Sequence, residues 1–171
     1  MPNKKYALAA WTEKGQLRMI PTVVNEVSAP YREKIARLEA MYKDVENEVG
    51  WLLAQSRAHE EFARFLESVG YPKEAFEEFK NAAIICLCCS DGLWRQGVVG
   101  DYPVLPLYHR FLAMHRQCMR LTETHPSLKA QYLNSDFYST YLWITTDERE
   151  FNREFDQAME TCRAWRFGQA G

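Results

Sequence analysis

The stretch RAHEEFARFLESVGYPKEAFEEFKNAAIICLCC, residues 57–89, determines the fold that we expect for this chain. Apolar residues recur in it every three or four positions, which is the period of an amphipathic helix. The pattern is interrupted at Gly70, Tyr71 and Pro72. Glycine permits a tight turn there, and proline commonly occupies the first turn of a helix. The stretch therefore predicts two antiparallel helices that are joined at Gly70.

Large and small residues alternate at fixed spacings in this helix pair. Phe62 and Ala63 form a large–small step in the first helix, and Leu66 follows three residues later. The second helix carries a small–aromatic–small series with spacings of four and three: Ala75, Phe79 and Ala82. Small residues let neighbouring helices approach closely, and the aromatic ring fills the space that they leave.

This pattern resembles a repeat of the tetratricopeptide family. Two positions depart from it: His59 stands where the family often has Trp, and Leu87 stands where it often has a terminating Pro. The spacing does not recur one repeat length upstream or downstream. The resemblance implies a helical scaffold that holds a peptide or protein partner against the exposed face of its first helices. An irregular bundle with one tight helical hairpin is the alternative.

The resemblance places four charged residues on that face: Arg57, Glu60, Arg64 and Glu67. Acids and arginines lie three or four positions apart here, so they can form ion pairs along the helix. Such a pattern more often marks a solvent-exposed face whose charged residues pair with one another. Arg57 and Arg64 are the candidate binding residues on it.

The preceding residues predict a hairpin followed by a helix. Two apolar runs surround Gly15, so residues 5–24 are expected to form a β-hairpin. The helical period begins at Ser28, which is a suitable N-cap, with Pro30 in the first turn. Gly50 separates this helix from the one that leads to Gly70. The third helix is expected to run to Gly92, with its apolar second half at the centre of the fold.

Residues 91–106, DGLWRQGVVGDYPVLP, form the longest interior segment without periodicity. Such a segment is either a functional loop or a packed connector. Trp94, Arg95 and Tyr102 are its candidate binding residues, since interfaces favour these residue types. Arg95 and Arg110 begin a basic region that extends to Arg120, whereas residues 136–160 are acidic. The two regions are expected to complement each other within the fold or between two copies. The alternative is that the basic region binds an acidic partner.

Residues 107–167 predict three further helices. The second is opened by His125 and Pro126 and is interrupted near Ser135, and the third is capped by Thr145 with Glu148. The expected fold is mainly α, with about six antiparallel helices in a single domain over residues 1–171. Residues 28–90 and 107–167 supply three helices each, on either side of the long loop.

Few residues are arranged for chemistry. No phosphate-binding loop, nucleophile elbow or zinc helix is present. His115 and Cys118 share a helix face and could join Cys86 or Cys89 at a zinc ion, but buried cysteines and a core histidine are favoured. Among the cysteines, Cys118 is the best candidate for a nucleophile. We therefore expect no metal and no cofactor.

Composition limits the class of partner. The net charge of −2 argues against a general nucleic-acid binder, and no apolar run is long enough for a membrane span. The five cysteines do not form a disulfide pattern, which favours the cytoplasm. The sequence predicts a non-catalytic protein-interaction module or assembly adaptor. The alternatives are a ligand- or metal-binding bundle, with an enzymatic use of residues 94–118, and a self-assembling structural subunit.

Overall fold

A computed structural model describes residues 9–11, 17–41, 48–88 and 105–146. Within these ranges the fold is mainly α, as predicted. The elements in chain order are β1 (Ala9–Trp11), β2 (Leu17–Met19), α1 (Pro21–Ala40), α2 (Glu48–Ser68), α3 (Pro72–Ile85), α4 (Leu105–Thr124), α5 (Pro126–Leu133) and α6 (Asp136–Thr146). No helix in the described ranges is both long and apolar enough to cross a membrane.

The turn between α2 and α3 lies where the sequence predicts it. Gly70 has a φ of 90°, a left-handed conformation that other residues adopt only at a cost. The Tyr71 N–H donates to the Leu66 carbonyl at 2.9 Å, and the Gly70 N–H donates to the Glu67 carbonyl at 3.2 Å. These two bonds form a Schellman motif, which satisfies the last carbonyls of α2. Gly70 therefore terminates α2 and reverses the chain.

The small residues of this pair lie where α2 and α3 come closest. Ala63, Ala75 and Ala82 have no exposed surface, and neither does Phe79. Across the interface, the Ser56 hydroxyl donates to the Ala82 carbonyl at 2.7 Å. The predicted antiparallel helix pair is thus confirmed, and its alanines are sites of close packing.

The end of α3 differs from the prediction. The helix ends at Ile85 rather than at Gly92, because hydrogen bonds from residue i to i−3 replace the α-helical pattern at Cys86, Leu87 and Cys88. The apolar run is also not buried on every side. Ile84 is 37% exposed and Cys88 is exposed, whereas Cys86 is buried. Residues 89–104 lie outside the described ranges.

The N-cap of α1 was predicted eight residues too late, at Ser28 instead of Ile20. Pro21 rather than Pro30 occupies the first turn, and Ile20, in an extended conformation, is the N-cap. Ser28 is buried inside the helix, and Pro30 lies in its interior. Proline fits the first turn because its missing N–H would have no helical acceptor there. The N-cap role predicted for Ser28 is therefore wrong.

Helix α1 is held against α2 by aromatic and polar contacts. Tyr31 stacks on Phe62 and Phe65 with ring centroids 5.5 and 4.9 Å away, and the Trp51 indole N–H donates to the Leu38 carbonyl at 2.6 Å. The sequence predicted that Gly50 separates α1 from α2, but Gly50 lies within α2. Residues 42–47, between the two helices, lie outside the described ranges.

The N-terminal hairpin is shorter than predicted and packs on the α2–α3 turn. Strands β1 and β2 are antiparallel, but β2 ends at Met19 because α1 begins two residues later. The Met19 N–H donates to the Val69 carbonyl at 2.9 Å, and the Tyr71 hydroxyl donates to the Met19 carbonyl at 2.7 Å. The Arg18 guanidinium lies 4.0 Å from the centroid of the Tyr71 ring. These contacts anchor the hairpin to the helix pair.

Helix α4 packs against both members of the pair. Cys118 on α4 lies near the Phe76 carbonyl at the start of α3, whereas Arg110 and Arg120 contact Glu60 and Glu67, which are two turns apart on α2. Helix α4 is therefore antiparallel to α3 and parallel to α2. Four large side chains at the centre are almost fully buried: Phe79, Leu107, Phe111 and Leu121.

The predicted interruption near Ser135 is confirmed. Helix α5 ends at Leu133, and α6 begins at Asp136. The Ser135 hydroxyl accepts the Tyr138 N–H at 3.2 Å, so Ser135 is the N-cap of α6. Thr145 lies inside α6 and not at the start of a helix, which contradicts its predicted capping role. The rest of the predicted last helix, from residue 147, lies outside the described ranges.

Candidate interaction surface

Helices α2 and α4 lie side by side, and charged side chains follow the line along which they meet. We name this line the α2–α4 seam. It comprises Arg57, Glu60, Arg64 and Glu67 on α2, and Arg110 and Arg120 on α4. Two ion pairs cross from one helix to the other, and Arg57, Arg64 and Arg120 are exposed. The seam is therefore a surface feature that the contact between the two helices creates.

Glu60 is the centre of the seam. Its Oε1 accepts from Arg110 Nη2 at 2.6 Å, across the helix interface. Its Oε2 accepts from Arg64 Nη2 at 2.7 Å and from Arg64 Nε at 3.0 Å, one turn along α2. Each carboxylate oxygen thus binds a different arginine, and Glu60 fixes two guanidinium groups beside each other.

The charge of Glu60 is maintained by these two arginines. Partial burial alone would raise the pKa of its carboxyl group, because water no longer solvates the ion fully. Hydrogen bonds from Arg110 and Arg64, together with their positive charges, outweigh burial and lower the pKa below its ordinary value. Glu60 is therefore ionised at neutral pH.

Hydrogen bonds to buried groups fix the position of the Arg110 side chain. Its Nε donates to the Ser56 hydroxyl at 2.7 Å, and that hydroxyl donates in turn to the Ala82 carbonyl. The Cys86 sulfur lies 3.6 Å from the same hydroxyl. Ser56 is fully buried, so a chain of hydrogen bonds connects α4, α2 and α3. Such a network positions a side chain with little remaining freedom.

The second ion pair across the seam lies two turns further on. Arg120 Nη1 and Nη2 donate to the two oxygens of Glu67 at 2.6 and 2.7 Å. This two-point geometry is the strong form of an arginine–carboxylate contact. Arg120 also donates to the Gln117 side chain at 3.0 Å. Glu67 and Arg120 thus neutralise each other.

The predicted self-pairing of the α2 face is correct only for Glu60 with Arg64. Glu60 and Glu67 both bind arginines of α4, which the sequence did not predict. Arg57 is exposed and has no ion pair with any residue in the described ranges. Arg64 and Arg110 meet at Glu60, and the helical period places Arg57 on the same face of α2. Trp94, Arg95 and Tyr102 lie outside the described ranges.

Two arginines of the basic region pair with acids of α2. Arg110 binds Glu60 and Arg120 binds Glu67, because α4 lies parallel to α2 with opposite charges at matching positions. The complementarity of the basic region with the acidic residues 136–160 stays a prediction, since residues 147–160 lie outside the described ranges. Ser56 was missed entirely, since a serine within a helix carries no sequence signal for an arginine partner.

His115 is a core residue, as predicted. It has no exposed surface, and the Tyr132 hydroxyl lies 3.2 Å from its Nδ1 and 3.1 Å from its Nε2. The Phe137 ring centroid is 4.4 Å from the imidazole centroid. Burial lowers the pKa of His115 from 6.5 to about 3, so the imidazole is neutral at physiological pH.

Cys118 lies one turn from His115 and is fully buried. Burial raises the pKa of its thiol, so the thiolate needed for nucleophilic attack is not formed at neutral pH. Its sulfur lies 3.9 Å from the Phe76 carbonyl oxygen. In the part of the chain that the structure describes, no three His, Cys, Asp or Glu side chains form a group that could hold a metal ion. Cys89 lies outside that part.

Comparison with protein-family models, with curated proteins and with solved structures gives no match for this chain. The arrangement of the described residues is therefore the basis for a functional proposal. That arrangement is a helix pair, a third helix parallel to the first, and a seam of fixed arginines between them.

Proposed function

We propose that this protein is a non-catalytic interaction module, or an assembly adaptor of helical-repeat type, which binds a protein or peptide along the α2–α4 seam. The observation that carries the proposal is the fixing of Arg64 and Arg110 on the two oxygens of Glu60, on parallel neighbouring helices. Arginines that are ordered before binding lose less conformational entropy when a partner arrives. A row of such groups at the surface suits recognition better than catalysis.

The packing of the helix pair supports the repeat-like part of this proposal. Ala63, Ala75 and Ala82, the positions at which the tetratricopeptide pattern has small residues, are fully buried, and the Ala82 carbonyl accepts a hydrogen bond from Ser56 of α2. Helix α4 then returns parallel to α2, as the first helix of a following pair would. In this interpretation α2 and α4 are successive first helices, and the seam is their exposed face.

The state of the chemically competent side chains favours an adaptor over an enzyme that uses residues 105–118. His115 is held neutral among aromatic rings, and Cys118 is held as a thiol. Both groups contribute to the core. We propose the cytoplasm as the compartment on the basis of the cysteine pattern.

The proposal is tested by affinity capture from native lysate with the full chain as bait. We expect Arg57→Glu to lose a specific partner, because it reverses an exposed charge on the seam without breaking an ion pair among the described residues. Lys129→Glu is the matched control, since it makes the same reversal at an exposed position on α5. A partner that is retained by both variants would place binding elsewhere on the protein.

Two further measurements separate the alternatives. Light scattering across a range of concentrations detects a self-assembling subunit, because its weight-average mass would exceed the monomer mass and rise with concentration. Native mass spectrometry of the purified chain detects a bound small ligand or metal ion. A monomer without added mass, together with a captured partner that depends on Arg57, supports the adaptor. A stable homo-oligomer that captures nothing would replace it with the structural-subunit alternative.

A further inference from the structure

We propose that the partner segment bound at the seam is an acidic peptide, and that Arg57, Arg64 and Arg110 bind its aspartate and glutamate side chains. This inference rests on the proposed function and specifies the chemistry of the partner. Arg64 and Arg110 bind a single carboxylate, that of Glu60, and Arg57 precedes it by three residues on the same face of α2. The site therefore carries more positive than negative charge, although the chain as a whole has a net charge of −2.

The three arginines retain donors for a ligand. Arg64 uses Nε and Nη2 to bind Glu60, and none of its hydrogen bonds in the described part of the chain involves Nη1. Arg110 uses Nε for Ser56 and Nη2 for Glu60, and its Nη1 is likewise outside these bonds. Arg57 is exposed and uses none of its donors within the described ranges. A guanidinium group has five N–H donors, so each arginine keeps N–H groups that can donate to a further carboxylate.

The arginines are also spaced for an extended chain. Arg57 and Arg64 are seven residues apart on α2, which corresponds to about 10 Å along the helix axis. An extended peptide advances about 3.3 Å per residue, so acidic side chains about three residues apart reach both. Arg110, fixed beside Glu60, lies between these two positions along the seam. Two or three carboxylates in a short peptide would satisfy the site.

The interspersed acids favour a peptide over a nucleic acid. Glu60 and Glu67 both lie on the seam, and they offset part of the positive charge that would attract a continuous phosphate backbone. A peptide suits this pattern better, because its carboxylates are separated by neutral residues that can lie over the two glutamates. Glu67 is already neutralised by Arg120, so this end of the seam adds no attraction for a polyanion.

The test is fluorescence anisotropy with a labelled peptide in which glutamates alternate with glycine and serine. The full-length protein should bind it, and the matched peptide with glutamine for glutamate should bind at least about tenfold more weakly. Arg57→Gln should weaken binding of the acidic peptide by about fivefold or more. Lys129→Gln, which removes an exposed charge on α5, should leave affinity unchanged. Binding should also decrease as salt concentration rises.

Several outcomes would overturn the proposal. Equal affinity for the acidic and glutamine peptides would exclude carboxylate recognition, as would equal affinity of the wild type and Arg57→Gln. Preference for a labelled RNA of equal charge would identify a polyanion site instead. Self-association that the acidic peptide does not reduce, but that Arg57→Gln abolishes, would assign the seam to a second copy.

Failure of this inference can be distinguished from failure of the proposed function. If the full chain captures a specific partner that is also retained by Arg57→Gln, and the acidic peptide does not bind, the adaptor remains but its acidic-peptide site is excluded. If the chain captures no partner at all and binds neither peptide, the proposed function itself fails.

Discussion

Tyr141 stacks face to face on His115, with ring centroids 3.7 Å apart and planes inclined by 7°. The contact joins α4 to α6 and covers one face of the imidazole. The Phe137 ring centroid lies 4.4 Å from the imidazole centroid. Burial raises the pKa of the Tyr132 hydroxyl, so this neighbour of His115 is uncharged at neutral and acidic pH. Among the described residues, no carboxylate contacts His115 to favour its protonated form.

This arrangement predicts a loss of stability in acid. Because the pKa of His115 is about 3 in the folded state and 6.5 ordinarily, the unfolded chain takes up the proton first as the pH falls. The free energy of unfolding should thus lose a contribution of up to about 1.4 kcal/mol per pH unit below pH 6.5. Urea unfolding at about pH 7.5 and about pH 5 measures this slope. His115→Phe should reduce it, whereas His109→Gln, at an exposed position on α4, should not. An unchanged slope in His115→Phe would contradict the assignment.

The Glu60–Arg110 pair should be strongly coupled energetically. It is mostly buried and shares hydrogen bonds with Ser56 and Arg64, so removal of one partner leaves the other with an unsatisfied charge. A double-mutant cycle with Glu60→Gln and Arg110→Met should give a coupling energy of about 1–3 kcal/mol. The same cycle on the exposed pair of Lys34 and Glu61 should give no more than about 1 kcal/mol. Equal coupling in the two cycles would show that the network does not order the seam.

Tyr71 is expected to anchor the N-terminal hairpin. Tyr71→Phe removes the hydrogen bond to the Met19 carbonyl but keeps the ring that contacts Arg18, so it should cost about 1 kcal/mol of stability. Cleavage by trypsin after Arg18 should become faster than in the wild type, as detected by mass spectrometry. Tyr31→Phe is the control, since it leaves the stacked ring in place. A cleavage rate that is the same in both variants would show that the hairpin is held by other contacts.

The sequence predicted the α2–α3 pair well because its signals are local. Gly70 and Pro72 interrupt a clear helical period. Gly70 adopts the left-handed conformation of the turn, and Pro72 occupies the first turn of α3. The same reasoning misplaced the start of α1 because Pro21 and Pro30 both suit a first turn. Packing decides between them, since Ser28 is buried within α1 and does not stand at its exposed start.

The candidate site was only half predictable for a similar reason. Arg57, Arg64 and Arg110 were identified from residue type and position, but the partners of Arg110 depend on which helix lies beside α4. The parallel placement of α2 and α4 results from contacts between residues about 50 positions apart, such as Glu60 with Arg110. No pattern within either helix specifies that placement, so the ion pairs across the seam required the three-dimensional arrangement.

The close approach of α2 and α3 at Ala82 provides a final test of the helix packing. Ala82 has no exposed surface, and its carbonyl accepts the hydrogen bond from Ser56 that supports Arg110. Ala82→Leu should therefore separate the helices and destabilise the protein by about 1–3 kcal/mol. Because Ser56 would move with α2, the variant should also weaken binding of the acidic peptide in the anisotropy assay under conditions where it remains folded. Ala130→Leu, at an exposed position on α5, is the matched control and should alter neither stability nor binding. Full stability of Ala82→Leu would show that the two helices have room for a larger side chain, and that the small residues of this pair are not required for its packing.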